Sequence, residues 1–326
     1  MRPDEVANAA LVAWGGSAEQ SRLIKYRENV VFEVRLRDGT RAALRLHRPG
    51  YQTRGAIEAE LIWMRGLADA GQEVPVPVPT KTGALTATAG DRIVSVVTWV
   101  GGLPIGSAEQ PLGGDAAAQE TLMERLGGLI GRLHGATDAL GLPATTERPR
   151  WDAEGYLGER PLWGRFWENP SFSTDERALI GRARERARED IGRLVRSGSD
   201  FGLIHADCLR ENVLDDGRSL KLIDFDDSGW GFRSYDLATA IFQSLEEPAL
   251  TQIVRGLLRG HGEVRPGSDA GQHLPLFVML RTFASAGWIA ARSSADDPSQ
   301  RLYAERALRM ATPYLAGSTP WDRTLD

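Results

Sequence analysis

The chain has 326 residues, is 42% hydrophobic and 25% charged, and carries a formal net charge of −5. This is the profile of a globular protein long enough for two domains and for a large core without disulfides or structural metals. The absence of a long basic run or an apolar run of about 18 residues argues against nucleic acid, a membrane surface or a membrane span. The single cysteine, Cys208, excludes an internal disulfide and a cysteine zinc cluster. Met1 to Glu5 lack a basic region followed by an apolar stretch, so a cytoplasmic protein is expected.

In chain order, residues 4–14 show helical apolar spacing behind Asp4, a candidate N-cap. Residues 30–36 alternate like a half-buried strand, and Asp38-Gly39 turns the chain into a return strand over 41–47. There Leu44 and Leu46 share one face, Ala43 and Arg45 the other. A helix is predicted over 55–69. The proline alternation from Val74 to Pro79 must be extended. Strands follow near 83–88 and 92–99. Gly101-Gly102-Leu103-Pro104 breaks the pattern, giving domains of 1–100 and 101–326. Beyond it, helices are predicted over 116–138, 174–197, 235–245, 248–260, 272–292 and 297–315. Two short strands, near 213–215 and 219–224, are joined by Asp216-Gly217.

The stretch from His205 to Asp236 carries the chemistry. Transfer of a phosphoryl group needs a carboxylate near the attacking hydroxyl, metal ligands on the triphosphate, and cations on its oxygens. Mg²⁺ favours oxygen donors such as Asp and Asn. Asn212 precedes the first strand of the hairpin, Asp224 ends the second, and Asp207 lies on the loop leading in. Antiparallel pairing brings these three toward one end.

The pattern His205-x-Asp207-x-x-x-x-Asn212, followed by Ile223-Asp224-Phe225, resembles the catalytic loop and metal motif of the aminoglycoside phosphotransferase superfamily. That superfamily also includes choline and homoserine kinases and a bacterial stress-response Ser/Thr protein kinase. The resemblance implies an α+β, two-lobed protein-kinase-like fold. Residues 1–100 would form a small antiparallel-sheet nucleotide lobe with one long helix, and 101–326 a mainly helical catalytic and substrate lobe. It implies ATP and Mg²⁺ as cofactors, Asp207 as catalytic base, and Asn212 and Asp224 as Mg²⁺ ligands. His205 and Asp236 would support the catalytic loop. Arg45 lies where the family has a phosphate-contacting lysine, and Glu60 where a helix glutamate pairs with it. Glu28-Asn29-Val30-Val31-Phe32 resembles the nucleotide loop, and Val97-Thr98-Trp99-Val100 the adenine hinge. Asn29, Ala43, Thr98 and Val100 would therefore border the nucleotide. Gly131-Arg132-Leu133-His134 resembles the end of the helix packed under the catalytic loop. Two positions depart from the family pattern: Ala206 stands for Gly, and Arg45 for Lys.

Trp151, Tyr156, Trp163, Phe166 and Trp167 either pack the core or wall a substrate pocket together with Arg281 and Trp288. Trp163 and Arg281 are the substrate candidates. Asp226 and Asp227 fit a metal-supporting role or a solvated turn. Cys208 and His134 read as packed side chains. The resulting reading is ATP- and Mg²⁺-dependent transfer of the γ-phosphate to a hydroxyl of a small molecule. A stress-response-type Ser/Thr protein kinase and a nucleotide-binding pseudokinase scaffold are the alternatives. The short span from Asp224 to Asp236 leaves little room for a peptide-docking segment, and nothing in the sequence signals an oligomeric state.

Overall fold

The computed structural model describes residues 2–26, 29–108 and 110–321. The chain divides into two compact units: Met1–Leu103 with Ala139–Arg148 and Lys221–Asp226, and Pro104–Asp138 with Pro149–Leu220 and Asp227–Asp326.

The first unit opens with α1 (Pro3–Ala10), which runs into a 3₁₀ turn over Leu11–Trp14. The helix starts one residue before the expected Asp4 cap, because Pro3 has the φ that a first helical position requires. Strands β1 (Arg22–Tyr26), β2 (Val30–Arg35) and β3 (Arg41–Leu46) precede α2 (Arg54–Asp69), and β4 (Thr86–Ala89) and β5 (Arg92–Thr98) follow it. They form an antiparallel sheet in the order β1-β2-β3-β5-β4. Val30, Phe32 and Val34 alternate into a core shared with Leu44, Leu46, Val94 and Val96 and closed by Leu11 and Trp14. Trp14 satisfies its indole N–H on the Val78 carbonyl at 2.8 Å. Edge strand β1 is exposed throughout and was not foreseen, since it has no buried face to impose alternation. Thr53 caps α2, its hydroxyl accepting from the Ala56 N–H at 3.0 Å.

The later elements are β6 (Leu103–Pro104), α3 (Ala116–Leu140), β7 (Arg150–Trp151), α4 (Ala153–Leu157) and α5 (Thr174–Ser197). Then come β8 (Phe201–Ile204), β9 (Val213–Asp215), β10 (Leu220–Leu222), β11 (Gly229–Phe232), α6 (Ser234–Phe242), α7 (Leu250–Val264), α8 (Leu274–Ala290) and α9 (Pro298–Ala316). In the second unit β11 pairs with both β7 and β8, a small sheet the sequence reading missed. Its central strand, Gly229-Trp230-Gly231-Phe232, has glycines where strand formers would signal it, because neighbours press on both. A Cβ on Gly229 would lie 2.4 Å from the Pro149 carbonyl oxygen, and one on Gly231 2.4 Å from Ile204 Cδ1. α6 is buried along its whole length, while α5 is amphipathic and opens on a Ser173/Glu176 capping box.

Helices α3 and α7 touch backbone to backbone. A Cβ on Gly260 would stand 1.9 Å from the Glu124 carbonyl oxygen, and one on Gly127 2.0 Å from that of Leu257. Gly262, on the same helix, has nothing within 4 Å of such a Cβ. Gly260→Ala should therefore destabilise the protein by about 2–3 kcal/mol through overpacking. Gly262→Ala should stabilise it by roughly 0.5–1 kcal/mol through helix propensity. Denaturant unfolding of both variants checks the pair; equal effects would contradict the packing.

Candidate functional site

In the first unit, β3 and α2 present a buried ion pair. Arg45 Nη2 donates to Glu60 Oε1 at 2.6 Å, and the Glu60 side chain has no exposure to water. Burial disfavours the Arg45 charge, but Glu60, Asp226 and Asp224 outweigh it and leave the guanidinium pKa above its ordinary value. Ala43 sits in register between Glu33 and Val97. Asn29 Oδ1 accepts from the Arg48 N–H at 3.1 Å. Thr98 and Val76 exchange two hydrogen bonds, 2.8 and 2.9 Å, that pin the proline-rich connector to β5. Val100 follows, half-buried. Glu28 of the expected nucleotide loop lies outside the described residues.

β10 stops at Leu222, short of the expected 224, because Asp224 adopts a left-handed backbone with φ +65°. Its carboxylate is partly exposed and meets Lys25 Nζ at 3.4 Å. Phe225 is buried edge-on against Trp63, with ring centroids 5.4 Å apart. Asp226 is buried rather than a solvated turn residue, 4.0 Å from His47 Nδ1. Burial, then Arg45 and Arg148, hold the His47 pKa well below the usual value, so this ring is neutral.

In the second unit, the loop after β8 is held by Asp236 from the first turn of α6. Asp236 Oδ2 accepts from the His205 N–H at 2.9 Å, and Oδ1 from the Ala206 N–H at 2.6 Å. His134, the packed histidine of α3, places Nε2 2.9 Å from Asp236 Oδ2. Burial pushes the Asp236 pKa up, opposed by His205 and the two backbone donors. His205 Nδ1 accepts from the Asp207 N–H at 3.2 Å. Asp207 then presents a carboxylate gripped at both oxygens: Asn212 Nδ2 donates to Oδ2 at 2.7 Å, and Arg281 Nη2 approaches Oδ1 at 3.4 Å. Arg281 is buried, with its guanidinium 4.6 Å from the Trp163 ring centroid and 4.7 Å from that of Phe242. Of the two substrate candidates, Arg281 therefore contacts Asp207, and Trp163 lies against the Arg281 guanidinium. Trp151, Tyr156 and Phe166 pack in the core, with Trp151 stacked on Tyr235 at 5.1 Å. Cys208 is buried and its thiol pKa stands well above the usual value, so it carries no nucleophilic role.

Lys25, His47, Arg148 and His261 also take part in these networks, and nothing in their local sequence pointed to them. Their partners lie far along the chain; His261 Nε2, for one, reaches His134 Nδ1 at 3.4 Å.

A family model described as the phosphotransferase enzyme family matches residues 21–273. The chain belongs to that family. Over 254 residues it is 24% identical to an amicoumacin kinase of Bacillus subtilis, covering 76% of this chain and 70% of the relative. A microcompartment-associated aminopropanol kinase of known structure superposes with a TM-score of 0.81 at 28% identity, covering 98% of this chain and 99% of that one. An amicoumacin kinase in complex with AMP-PNP and Ca²⁺ shares the fold, with a TM-score of 0.76 at 20% identity over 96% and 94% of the two chains. The two-lobed kinase-like α+β class and the small-molecule phosphotransferase activity are those expected from the sequence. ATP and a divalent metal ion are the cofactors of this phosphotransferase family. The donor set suits them. Asp224 is a partly exposed hard oxygen donor, and Arg45 Nε is buried without a hydrogen-bond partner. Among the described residues no helix is long and apolar enough to cross a membrane.

Ala206, where the family motif has glycine, takes φ +65°. A left-handed L residue costs about 1–2 kcal/mol, and the greater unfolded-state freedom of glycine offsets about 0.4–1 kcal/mol. Ala206→Gly should raise stability by on the order of 0.5 kcal/mol, seen as a small increase in Tm. A drop in Tm would mean that the methyl packing outweighs the strain.

Proposed function

We propose that the acceptor of this phosphotransferase is a compact small-molecule alcohol, with amino alcohols the first class to examine. The observation that carries the reading is the Asp207 carboxylate, oriented from two sides by Asn212 and Arg281 beside the Trp163 ring. Asp207 takes the proton of the acceptor hydroxyl as its oxygen forms the bond to the γ-phosphorus. The bond from that phosphorus to the bridging oxygen breaks, and ADP leaves. Positioning of this kind supplies most of the rate in phosphoryl transfer.

A bound divalent metal ion would supply positive charge to offset that of the phosphate oxygens. Asp224 is proposed as one of its ligands. Asn212 turns its amide nitrogen to Asp207, which keeps its carbonyl oxygen for the same role. Arg45, held by Glu60, meets the phosphates; Asn29, Ala43, Thr98 and Val100 border the nucleotide. His205 and Asp236 keep the loop in place. Arg281 acts through Asp207, since burial and its two ring contacts leave it little reach, whereas Trp163 supplies an apolar wall. The likeness to an aminopropanol kinase along nearly the whole chain is what puts amino alcohols first.

ADP release against a panel of amino alcohols, other small alcohols and a generic protein substrate tests the acceptor class. Turnover with a small alcohol is expected; transfer to protein serine or threonine with no small alcohol responding would overturn the proposal.

Asp207→Ala should lower kcat by about 10²–10⁴, the range of general-base catalysis. MgATP affinity should stay near that of the parent. Near-parental turnover would remove Asp207 from the chemistry.

Arg45→Met should cost about 1.5–3 kcal/mol in kcat/KM for ATP, the scale of a hydrogen bond to a charged group. Arg45→Lys should retain a substantial part of the activity, because an ammonium still offers Glu60 and a phosphate their charge. Steady-state kinetics with varied ATP measure both. A fully active Arg45→Met would make the ion pair purely architectural.

A further inference from the structure

Arg148 ends the Ala139–Arg148 segment of the first unit, and its side chain is 1% exposed. Nη1 donates to Gln52 Oε1 and to the Ala56 carbonyl, both at 2.9 Å, and reaches Glu60 Oε2 at 3.5 Å. Nη2 donates to the carbonyls of Phe225 at 3.3 Å and Asp226 at 2.8 Å. One planar fork therefore touches the entry of α2, the carboxylate that holds Arg45, and the backbone immediately after Asp224. Gln52 joins the same cluster, its amide donating to the Asp226 carbonyl at 2.6 Å.

We propose that Arg148 is a positioning residue for phosphoryl transfer, fixing Asp224 for its metal ion and Glu60 for Arg45 through a single guanidinium. The inference rests on the reading of Arg45 and Asp224 as nucleotide and metal groups.

Two physical facts call for such a residue. Asp224 holds a left-handed backbone, a conformation that persists only when its surroundings impose it. Arg148 and Gln52 grip the peptide units that follow, so the left-handed turn is held by side chains from elsewhere in the unit. Glu60 has no access to water, and Arg45 engages one of its oxygens. The other faces Arg148, so a second fixed positive charge compensates a carboxylate that burial would otherwise destabilise. Arginine fits where lysine does not. Donors fixed in one rigid plane can serve three carbonyls, an amide and a carboxylate together; an ammonium on a flexible stem cannot.

The test measures ATP binding against Mg²⁺ concentration for the full chain and for Arg148→Met, Arg148→Lys, Glu60→Gln and the Glu60→Gln/Arg148→Met pair. Partners that orient a metal ligand typically govern 10–100-fold of metal affinity, so the Mg²⁺ midpoint should rise about tenfold or more in either Arg148 variant. ATP binding in chelator should change far less, which a general loss of folding would not produce. In denaturant unfolding of the metal-free protein, the Glu60 and Arg148 substitutions should be non-additive, as contacting residues are. If Arg148→Met does not fold, Arg148→Lys decides the question. A folded Arg148 variant with the parental Mg²⁺ midpoint overturns the inference. Asp224→Ala separates the two levels. If it keeps the parental Mg²⁺ effect, the metal reading fails and the inference with it. If it loses that effect while the Arg148 variants keep theirs, only the role of Arg148 is rejected.

Discussion

A carboxylate shut away from water has to be surrounded by donors, and each unit is organised around one. Glu60 and Asp236 are both fully buried. An ion in that position loses several kcal/mol of solvation unless hydrogen bonds and opposite charge replace the water. Glu60 finds Arg45 and Arg148. Asp236 finds two backbone N–H groups and an imidazole. Satisfying each carboxylate also fixes the groups around it, among them residues proposed above to take part in phosphoryl transfer.

The two loops are held in complementary ways. After β8, an anion grips N–H groups: Asp236 orders the His205–Ala206 peptides and so aims Asp207. After β10, a cation grips carbonyls: Arg148 orders the Phe225–Asp226 peptides that follow Asp224. Each loop contains one residue at φ +65°, Ala206 and Asp224. Among the described residues these are the non-glycine positions with positive φ. Strain therefore falls at Asp224 and directly before Asp207, the two carboxylates proposed for phosphoryl transfer, and buried ionic groups grip the peptides around each. His47, His134 and His261, beside these networks, are neutral. Burial brings His261 down to about 4 and His134 well below its usual value, so neither ring changes charge near neutral pH.

Composition has a structural consequence here. Lys25, Lys81 and Lys221 are the only lysines among 39 basic residues, so arginine fills nearly every cationic role. At Arg45, Arg148, Arg233 and Arg281 the cation is also buried. Guanidinium suits such places because it distributes several directed donors and stacks on rings. Arg281 does both, lying close to Trp163 and Phe242 while reaching Ser285 and Asp207. Arg45 fits this wider use, paired with the buried Glu60 at 2.6 Å.

The sequence by itself determined the regular elements whose signals are local. The β2–β3 hairpin, α2, the connector after Val74 and α5 lie within a residue or so of their expected limits, because alternation, turn chemistry and helical periodicity act over a few positions. The motif from His205 to Asp236 was equally legible as that of the family to which the chain belongs, since its spacing is short and its residue types are distinctive. Only the tertiary structure decided which side chains share a site. Arg148 meets Glu60 across 88 positions, His134 meets Asp236 across 102, and Arg281 meets Asp207 across 74. Tertiary packing also decided β1, β8 and β11: one lacks a buried face, and the β11 glycines answer to neighbours distant in the chain. The φ of Ala206 and Asp224 belongs to the same class. Neither residue prefers a left-handed backbone; donors and acceptors supplied by distant segments impose it.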